Sequence, residues 1–173
     1  MTRSIWRDEG KTMIRKIFEV RNGKFLISSN PEHLQLNRIL EFISRSYWAN
    51  DRPPKITVRA IENSLCFGVY EEEKQIGFAR VISDYSTYAW LCDVFIDENY
   101  RGRGLGKGLV ANIMSHPELQ GVRRWALATR DAHEMYKRFG FDKIQTPERL
   151  MECIQPYPDV TSYGKRRESE SVG

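Results

Sequence analysis

The sequence has no long apolar run. No segment approaches the roughly eighteen to twenty uninterrupted apolar residues that a membrane helix needs. The opening stretch MTRSIWRDEGK lacks an apolar signal core, so a cytoplasmic protein without a membrane partner is expected. Cysteine is scarce: Cys66, Cys92 and Cys153 lie far apart, with no C-x-x-C pair. That argues against a disulfide framework and for reduced thiols, two of them inside apolar runs. His33, His116 and His133 have neither metal-ligand spacing nor a nucleophilic partner, so no metal is expected and all three are read as surface or helix residues. Charge of one sign is not concentrated either. The net +4 is modest, part of it falls at Lys165, Arg166 and Arg167, and the remaining cations are scattered among the aromatics. Nucleic acid is therefore not the expected partner.

What is present reads as one soluble domain. The 173 residues are 40% apolar and 29% charged, enough for one proper core and too few for two comfortable ones. Residues 1–12 are polar and expected to be a flexible extension, residues 13–156 form the domain, and 157–173 drift to Pro, Ser, Glu, Lys and Arg as a flexible tail. MIRKIFEV (13–20) and FLISS (25–29), joined by Arg21-Asn22-Gly23-Lys24, predict a hairpin. Asn30-Pro31 predicts a capped helix running to about Arg45, equally a core helix or a homodimer contact. A second helix is expected near 55–63, and a second hairpin from LCFGVYE (65–71) and QIGFARVIS (75–83). WLCDVFID (90–97) predicts the central strand, Leu105–Met114 a helix, RRWALATR (123–130) another strand, and DAHEMYKRF (131–139) a helix stopped by Gly140. FDKI and LMECIQ are expected as short closing strands. Hairpins first, then strand–helix–strand–helix, predict an α/β (α+β) fold with a mixed, mostly antiparallel sheet and helices on both faces.

One stretch stands out. Tyr100 to Val110, YRGRGLGKGLV, holds four glycines and three cations at the junction of the central strand and a helix. Glycine lets the main chain approach a ligand, and the first turn of a helix offers unpaired N–H groups at its positive end. The combination asks for an anion. It is not a Walker loop: Lys107 has glycine five residues before it, where six are needed, and Gly108 follows it in place of a hydroxyl. It is not a dinucleotide fingerprint, because the third glycine falls on Lys107 or Leu109 in the two available registers. The bland alternative is a glycine-rich connection with a solvated basic rim.

Arg101-Gly102-Arg103-Gly104-Leu105-Gly106 resembles the Q/R-x-x-G-x-G/A motif of the GNAT superfamily of acyl-CoA N-acyltransferases, and FIDENY matches its strand-then-loop approach. Further on, Ala132-His133-Glu134-Met135-Tyr136-Lys137-Arg138-Phe139-Gly140-Phe141 is similar to the family's A-x-x-L-Y-x-x-x-G-F. The resemblance covers roughly residues 65 to 145. It implies that the anion is the pyrophosphate of coenzyme A, held by Arg101, Gly102, Arg103, Gly104, Leu105, Gly106 and Lys107. It also implies acetyl-CoA as acyl donor and an amine as acceptor. Thr129 stands where many members have a cofactor-holding asparagine.

The implied reaction is attack of an amine on a thioester. Aliphatic amines have pKa values near ~10, so about one in a thousand is neutral at pH 7, and a carboxylate could help remove the proton. By the resemblance, a backbone N–H near Phe95 or Ile96 meets the developing oxyanion and Tyr136 donates a proton to the departing sulfur. The alternative for Tyr136 is a buried tyrosine on an apolar helix face. Asp93 interrupts an apolar strand and is costly there without a partner. It either serves the incoming amine or pairs with an arginine such as Arg80. Members acting on diamines have Glu-Asp where this chain has Cys92-Asp93, which counts against a polyamine acceptor. The loops expected to cover the acceptor hold Tyr47, Trp48, Arg52, Asp84, Tyr85 and Tyr88, and aromatic walls with a few charges suit a small-molecule amine. Trp48 equally suits packing of a loop onto the core. The readings to weigh are a small-molecule N-acetyltransferase, an enzyme acting on peptide or protein amines, and a non-catalytic acyl-CoA sensor.

Overall fold

The computed structural model describes residues 16–157, so the expected N-terminal extension and all but the first residue of the expected tail lie outside the described residues. Six strands join in sequential order. These are β1 (Glu19–Asn22), β2 (Phe25–Ser28), β3 (Leu65–Glu71), β4 (Lys74–Ser83), β5 (Tyr88–Ile96) and β6 (Arg124–Ala126). All neighbours are antiparallel except β5 and β6, which run parallel, as a strand–helix–strand crossover requires. Helices α1 (Leu36–Arg45) and α2 (Pro54–Glu62) lie before β3, α3 (Leu105–Met114) between β5 and β6, and α4 (His133–Lys137) after β6.

The sheet is buried on both faces, which explains why β3 and β4 read as continuous apolar runs. On one face Cys66, Phe78 and Phe95 pack with Ile39, Phe42 and Ile43 of α1 and Ile61 of α2. On the other, Phe67, Val69, Ala79, Val81 and Leu91 pack with Leu109, Val110 and Ile113 of α3 and Tyr136 of α4. Adjacent residues thus enter opposite cores, as the two-residue period of a strand dictates. The expected mixed, mostly antiparallel sheet with helices on both faces is the fold observed.

Several elements differ from their sequence reading. The helix expected from Asn30 is split into a single turn, Pro31–His33, and α1. Asn30 does cap the single turn through Glu32 N–H, but the Gln35 backbone N–H donates to Gln75 Oε1 on β4 and its side-chain amide donates to the Glu73 carbonyl. That cross-link holds the chain extended where a continuous helix would need to turn. β1 begins at Glu19, residues 13–15 lie outside the described part, and the turn is Gly23-Lys24, with Gly23 at φ +57°. Only three residues of RRWALATR pair with β5, because beyond Ala126 the chain diverges from it. The helix at 131–139 is five residues long, ended by Gly140 at φ +84°. FDKI and LMECIQ form no strands, and Met151 and Ile154 are 99% and 80% exposed. Alternation suited them to a ladder, but no strand among the described residues meets them. His116 is a correction of another kind: it is fully buried, its ring set edge-on to Phe18 and Phe67.

Candidate active site

The glycine-rich loop closes on the start of α3. Gly102 and Gly104 lie at φ +76° and +78°, in the left-handed region where a side chain is strained, and Gly104 is the N-cap of α3 without a side-chain cap. The N–H groups of Leu105, Gly106 and Lys107 therefore begin a ten-residue helix as open donors at its positive end. Around them stand cations anchored at the stem. Arg101 Nε donates to the Ile96 carbonyl (3.2 Å) and its Nη2 to Glu98. Arg103 donates to the Asn99 carbonyl and its guanidinium lies over the Tyr100 ring. Lys107 is exposed on the first turn of α3. A phosphate fits this set: open amides, an exposed cationic rim, no carboxylate from the loop itself. Beside it a cavity of about 440 Å³, lined by Lys24, Phe25, Arg103, Leu105 and Asn112 among others, runs between α3 and the β1–β2 hairpin.

A cleft opens next to this loop. β5 pairs with β6 only at Tyr88, Ala89 and Trp90, so from Leu91 onward the β5 edge that faced β6 is unpaired. Strand alternation decides which amides face the gap. Asp97 N–H donates to the Ile76 carbonyl of β4, so the N–H of Ile96 points the other way, into the cleft, and that of Phe95 points back to β4. The Phe95 side chain stacks on Phe42 at 4.1 Å between ring centroids. Gly106 fits between the Ile96 and Met135 side chains, where a Cβ would lie 3.8 Å from each, so the β5 end, the loop and α4 converge.

Tyr136, next to Met135 on α4, belongs to the α3-side core, 8% exposed, its ring edge-on to Phe141. Its hydroxyl donates to no other described residue. Burial, with smaller contributions from Tyr47 and Asp131, pushes its pKa up to about 12. Tyr47, on the α1–α2 loop, accepts the Arg130 N–H on its own hydroxyl and stacks under the Arg130 guanidinium at 3.8 Å. Thr129 Oγ1 accepts the Ala132 N–H at the entrance to α4, which leaves its hydroxyl proton free to donate.

Tyr47 is in turn edge-on to Trp48, 5.0 Å between centroids. Trp48 leads to the densest polar cluster in the molecule. Asp93 is 5% exposed and sits on a bulge of β5 at φ +52°. Its Oδ1 accepts Trp48 Nε1 (3.1 Å) and Arg52 Nη2 (3.2 Å); its Oδ2 accepts Arg52 Nη1 (2.9 Å) and Arg80 Nε (2.5 Å). Burial works against the carboxylate's charge, but Arg52 and Arg80 outweigh it and hold the Asp93 pKa below the ordinary carboxylate value. The alternative in which Asp93 pairs with Arg80 is the arrangement found, extended by Arg52 and Trp48. With four N–H donors on two oxygens, no lone pair is left for an ammonium proton. Tyr85, at φ +61°, packs against the α3-side core across the sheet from this cluster.

The sequence profile of the Acetyltransferase (GNAT) family matches residues 35–141, which includes both motifs, the cleft and the Asp93 cluster. The chain belongs to the GNAT family of acetyltransferases. Among solved structures, a GNAT-family protein of Xanthomonas campestris is 45% identical, with a TM-score of 0.74, covering 76% of this chain and 94% of that one. A Gibberella zeae protein named as an acetyltransferase is 30% identical over 137 residues, 66% of this chain and 76% of its own length. The spermine/spermidine N(1)-acetyltransferase of Bacillus subtilis is 35% identical over 86 residues, 43% of this chain and 57% of that enzyme.

Within this GNAT fold the predicted site residues fall into two groups. Arg101 to Lys107, Ile96, Thr129 and Tyr136 lie on the loop before α3 and its first turn, the end of β5, the β6–α4 connection and α4. Trp48, Arg52 and Asp93 meet on the α1–α2 side, joined to the first group through Tyr47. Phe95 is in the core and Tyr85 in the turn before β5. Tyr47 and Arg130 form the contact that closes the cleft. Tyr47 is visible in the sequence as part of an aromatic loop, whereas nothing in the sequence marks Arg130, 83 residues away.

Proposed function

We propose that the chain transfers an acetyl group from acetyl-CoA directly to the primary amine of a small molecule bound between the α1–α2 loop and β5. What supports the reading is that α4, which carries Tyr136, meets the end of β5 and the start of α3 at Gly106, with the Ile96 N–H turned away from β4 and the open amides of α3 beside it. Acetyl-CoA supplies the activated thioester. The amides of Leu105, Gly106 and Lys107, with Arg101 and Arg103, hold its pyrophosphate, and the Thr129 hydroxyl adds a donor nearby. The Ile96 N–H faces the position where the carbonyl oxygen gains charge, a donor that needs no reorganisation. Tyr136 holds its proton at neutral pH and presents it to the sulfur. Burial that keeps the phenol protonated also disfavours release of a free thiolate, so proton donation to the sulfur as the C–S bond breaks is favoured over departure of an anion.

The Asp93 carboxylate is committed to its arginines, so the amine loses its proton to water or arrives in its neutral fraction. The aromatic pair Tyr47 and Trp48, edge to face and partly open to solvent, offers an apolar wall suited to a small acceptor. The test is acetyl-CoA–dependent thiol release across amino acids, polyamines, aminoglycosides and peptide amines, with Tyr136→Phe beside the native chain. The expected result is saturable turnover with one small-amine class and a kcat lowered by about 10²–10⁴ in the variant, with acetyl-CoA affinity retained. Equal turnover in the variant removes Tyr136 from the mechanism.

A further inference from the structure

The cluster around Asp93 holds two guanidiniums and one carboxylate, and both arginine side chains are nearly enclosed, 12% exposed for Arg52 and 9% for Arg80. A buried ion pair is tolerable because its charges cancel; a surplus cation at the same depth is expensive without a counter-anion. Arg80 is at the inner end, on β4. Its Nε meets Asp93 and its Nη1 donates to Ser64 Oγ. Arg52 is at the outer end, on the α1–α2 loop, which is pinned by the buried Ala49 in the α1-side core. Asp93 takes one N–H from each of its η nitrogens and the Tyr157 hydroxyl engages another, so two of the five N–H groups are left. Burial opposes its charge, and the hydrogen bonds and charge of Asp93, with a smaller contribution from the Tyr157 hydroxyl, restore it. Of the two guanidiniums, that of Arg52 is the one on the same loop as the exposed Tyr47 and Trp48, so the surplus positive charge of the cluster can be met by a ligand from that side.

We propose that Arg52 binds an anionic group on the acceptor, a carboxylate or a phosphate, so that the acceptor is an amine that also carries an anion. The inference rests on the acetyl-transfer reading for the identity of the site. A planar fork with free N–H groups suits either anion, and the Trp48 ring gives the acceptor body an apolar wall. Trp48 and Asp93 act as positioning residues, holding Arg52 in one rotamer. The arrangement also gives a physical reason against a polyamine: a second ammonium would meet a surplus guanidinium.

Binding and turnover are measured separately, so that this proposal and the acetyl-transfer reading can fail independently. In the presence of coenzyme A, calorimetric titrations use L-phenylalanine, L-phenylalaninamide and phenethylamine, and, as the phosphate arm, O-phosphoethanolamine against ethanolamine. The same amines are assayed for acetylation. The native chain is expected to favour at least one anionic member over its uncharged-ended partners by tenfold or more in Kd, and in KM rather than kcat. Which arm responds decides between carboxylate and phosphate. Arg52→Met abolishes the preference while leaving coenzyme A affinity unchanged. It keeps the Asp93–Arg80 pair electrically balanced, so it is expected to fold, and a cooperative thermal melt checks this. Arg52→Lys restores part of the preference, which a merely structural arginine would not predict. Anion-dependent binding without turnover upholds the Arg52 site and overturns the transfer reading. Turnover with no preference for the anionic amines, a preference that survives Arg52→Met, or binding of none of these probes overturns the Arg52 proposal.

Discussion

The loop of residues 101–107 offers a ligand main-chain N–H groups, whereas the α1–α2 side of the same cleft offers side chains: a fork from Arg52, an indole from Trp48, a ring from Tyr47. The two differ in what makes them stiff. The loop is fixed by backbone conformation, with two glycines at positive φ and a helix dipole behind them, and it needs no partner beyond its own stem. The α1–α2 side is fixed by pairing across the molecule, with Asp93 binding Arg52, Trp48 and Arg80 at sequence separations of 41, 45 and 13 residues. A main-chain site recognises what every acyl-CoA shares, and a side-chain site can change with the acceptor. On the proposed reading, one half of the cleft serves the reaction common to the family and the other the choice of acceptor.

That contrast can be broken most forcefully at Asp93. Asp93→Asn keeps the shape but leaves two enclosed guanidiniums without a counter-charge, and such a loss costs about 3–5 kcal/mol. The urea unfolding midpoint is expected to fall accordingly, and, at temperatures where the variant is folded, acetyl-CoA should bind with native affinity. An unchanged midpoint would mean that the cluster is solvated and not a structural joint.

Gly104→Ala addresses the other half. No atom lies within 4 Å of the added Cβ, so the cost is the left-handed conformation alone, about 1–2 kcal/mol. Here the ranking reverses: a small loss of stability with a clear loss of acetyl-CoA affinity, as the first amides of α3 shift to relieve the strain. If Gly104→Ala and Asp93→Asn affect affinity and stability in the same ratio, the division between the two halves does not hold.

The same division decides what the sequence discloses. Positive φ and close approach admit few residue types, so Gly102 and Gly104 stand out as letters, and the phosphate loop is legible in the sequence by itself. Asp93 stands out as a carboxylate in an apolar strand, but its partners are not legible, because a one-residue bulge in β5 and the path of the α1–α2 loop decide who reaches it. The sheet, α2, α3 and the two-sided burial of β3 and β4 follow from periodicity. The misses share a cause. FDKI and LMECIQ have the local pattern of strands, but a strand exists only where another edge meets it. The helix expected from Asn30 is interrupted by the cross-link to Gln75, 40 residues away. His116, followed by proline at the end of a helix, has the local look of a surface turn, and only the packing of Phe18 and Phe67 encloses it.

His116 gives the smallest effect and tests the core outside the cleft. Its Nδ1 accepts the Glu118 N–H, which puts the ring hydrogen on Nε2, and Nε2 has no hydrogen-bond partner among the described residues. Burial lowers its pKa, and the charge of Glu118 offsets only part of that. A histidine depressed in the folded state binds its proton more readily when unfolded, so unfolding takes up a proton in the window between the two values. The stability of the neutral ring is then fully present above the unfolded pKa, near ~6.5, and is lost as pH falls through the folded one. Thermal melts of the native chain are expected to drop from pH 7.5 to pH 5.5 more steeply than those of His116→Gln, which keeps a polar side chain but does not titrate there. The cleft supplies the control: Asp93 is held charged by its arginines and Tyr136 keeps its proton throughout this range, so neither adds to the slope. Equal slopes in the two proteins would place the titrating group elsewhere and leave His116 as packing alone.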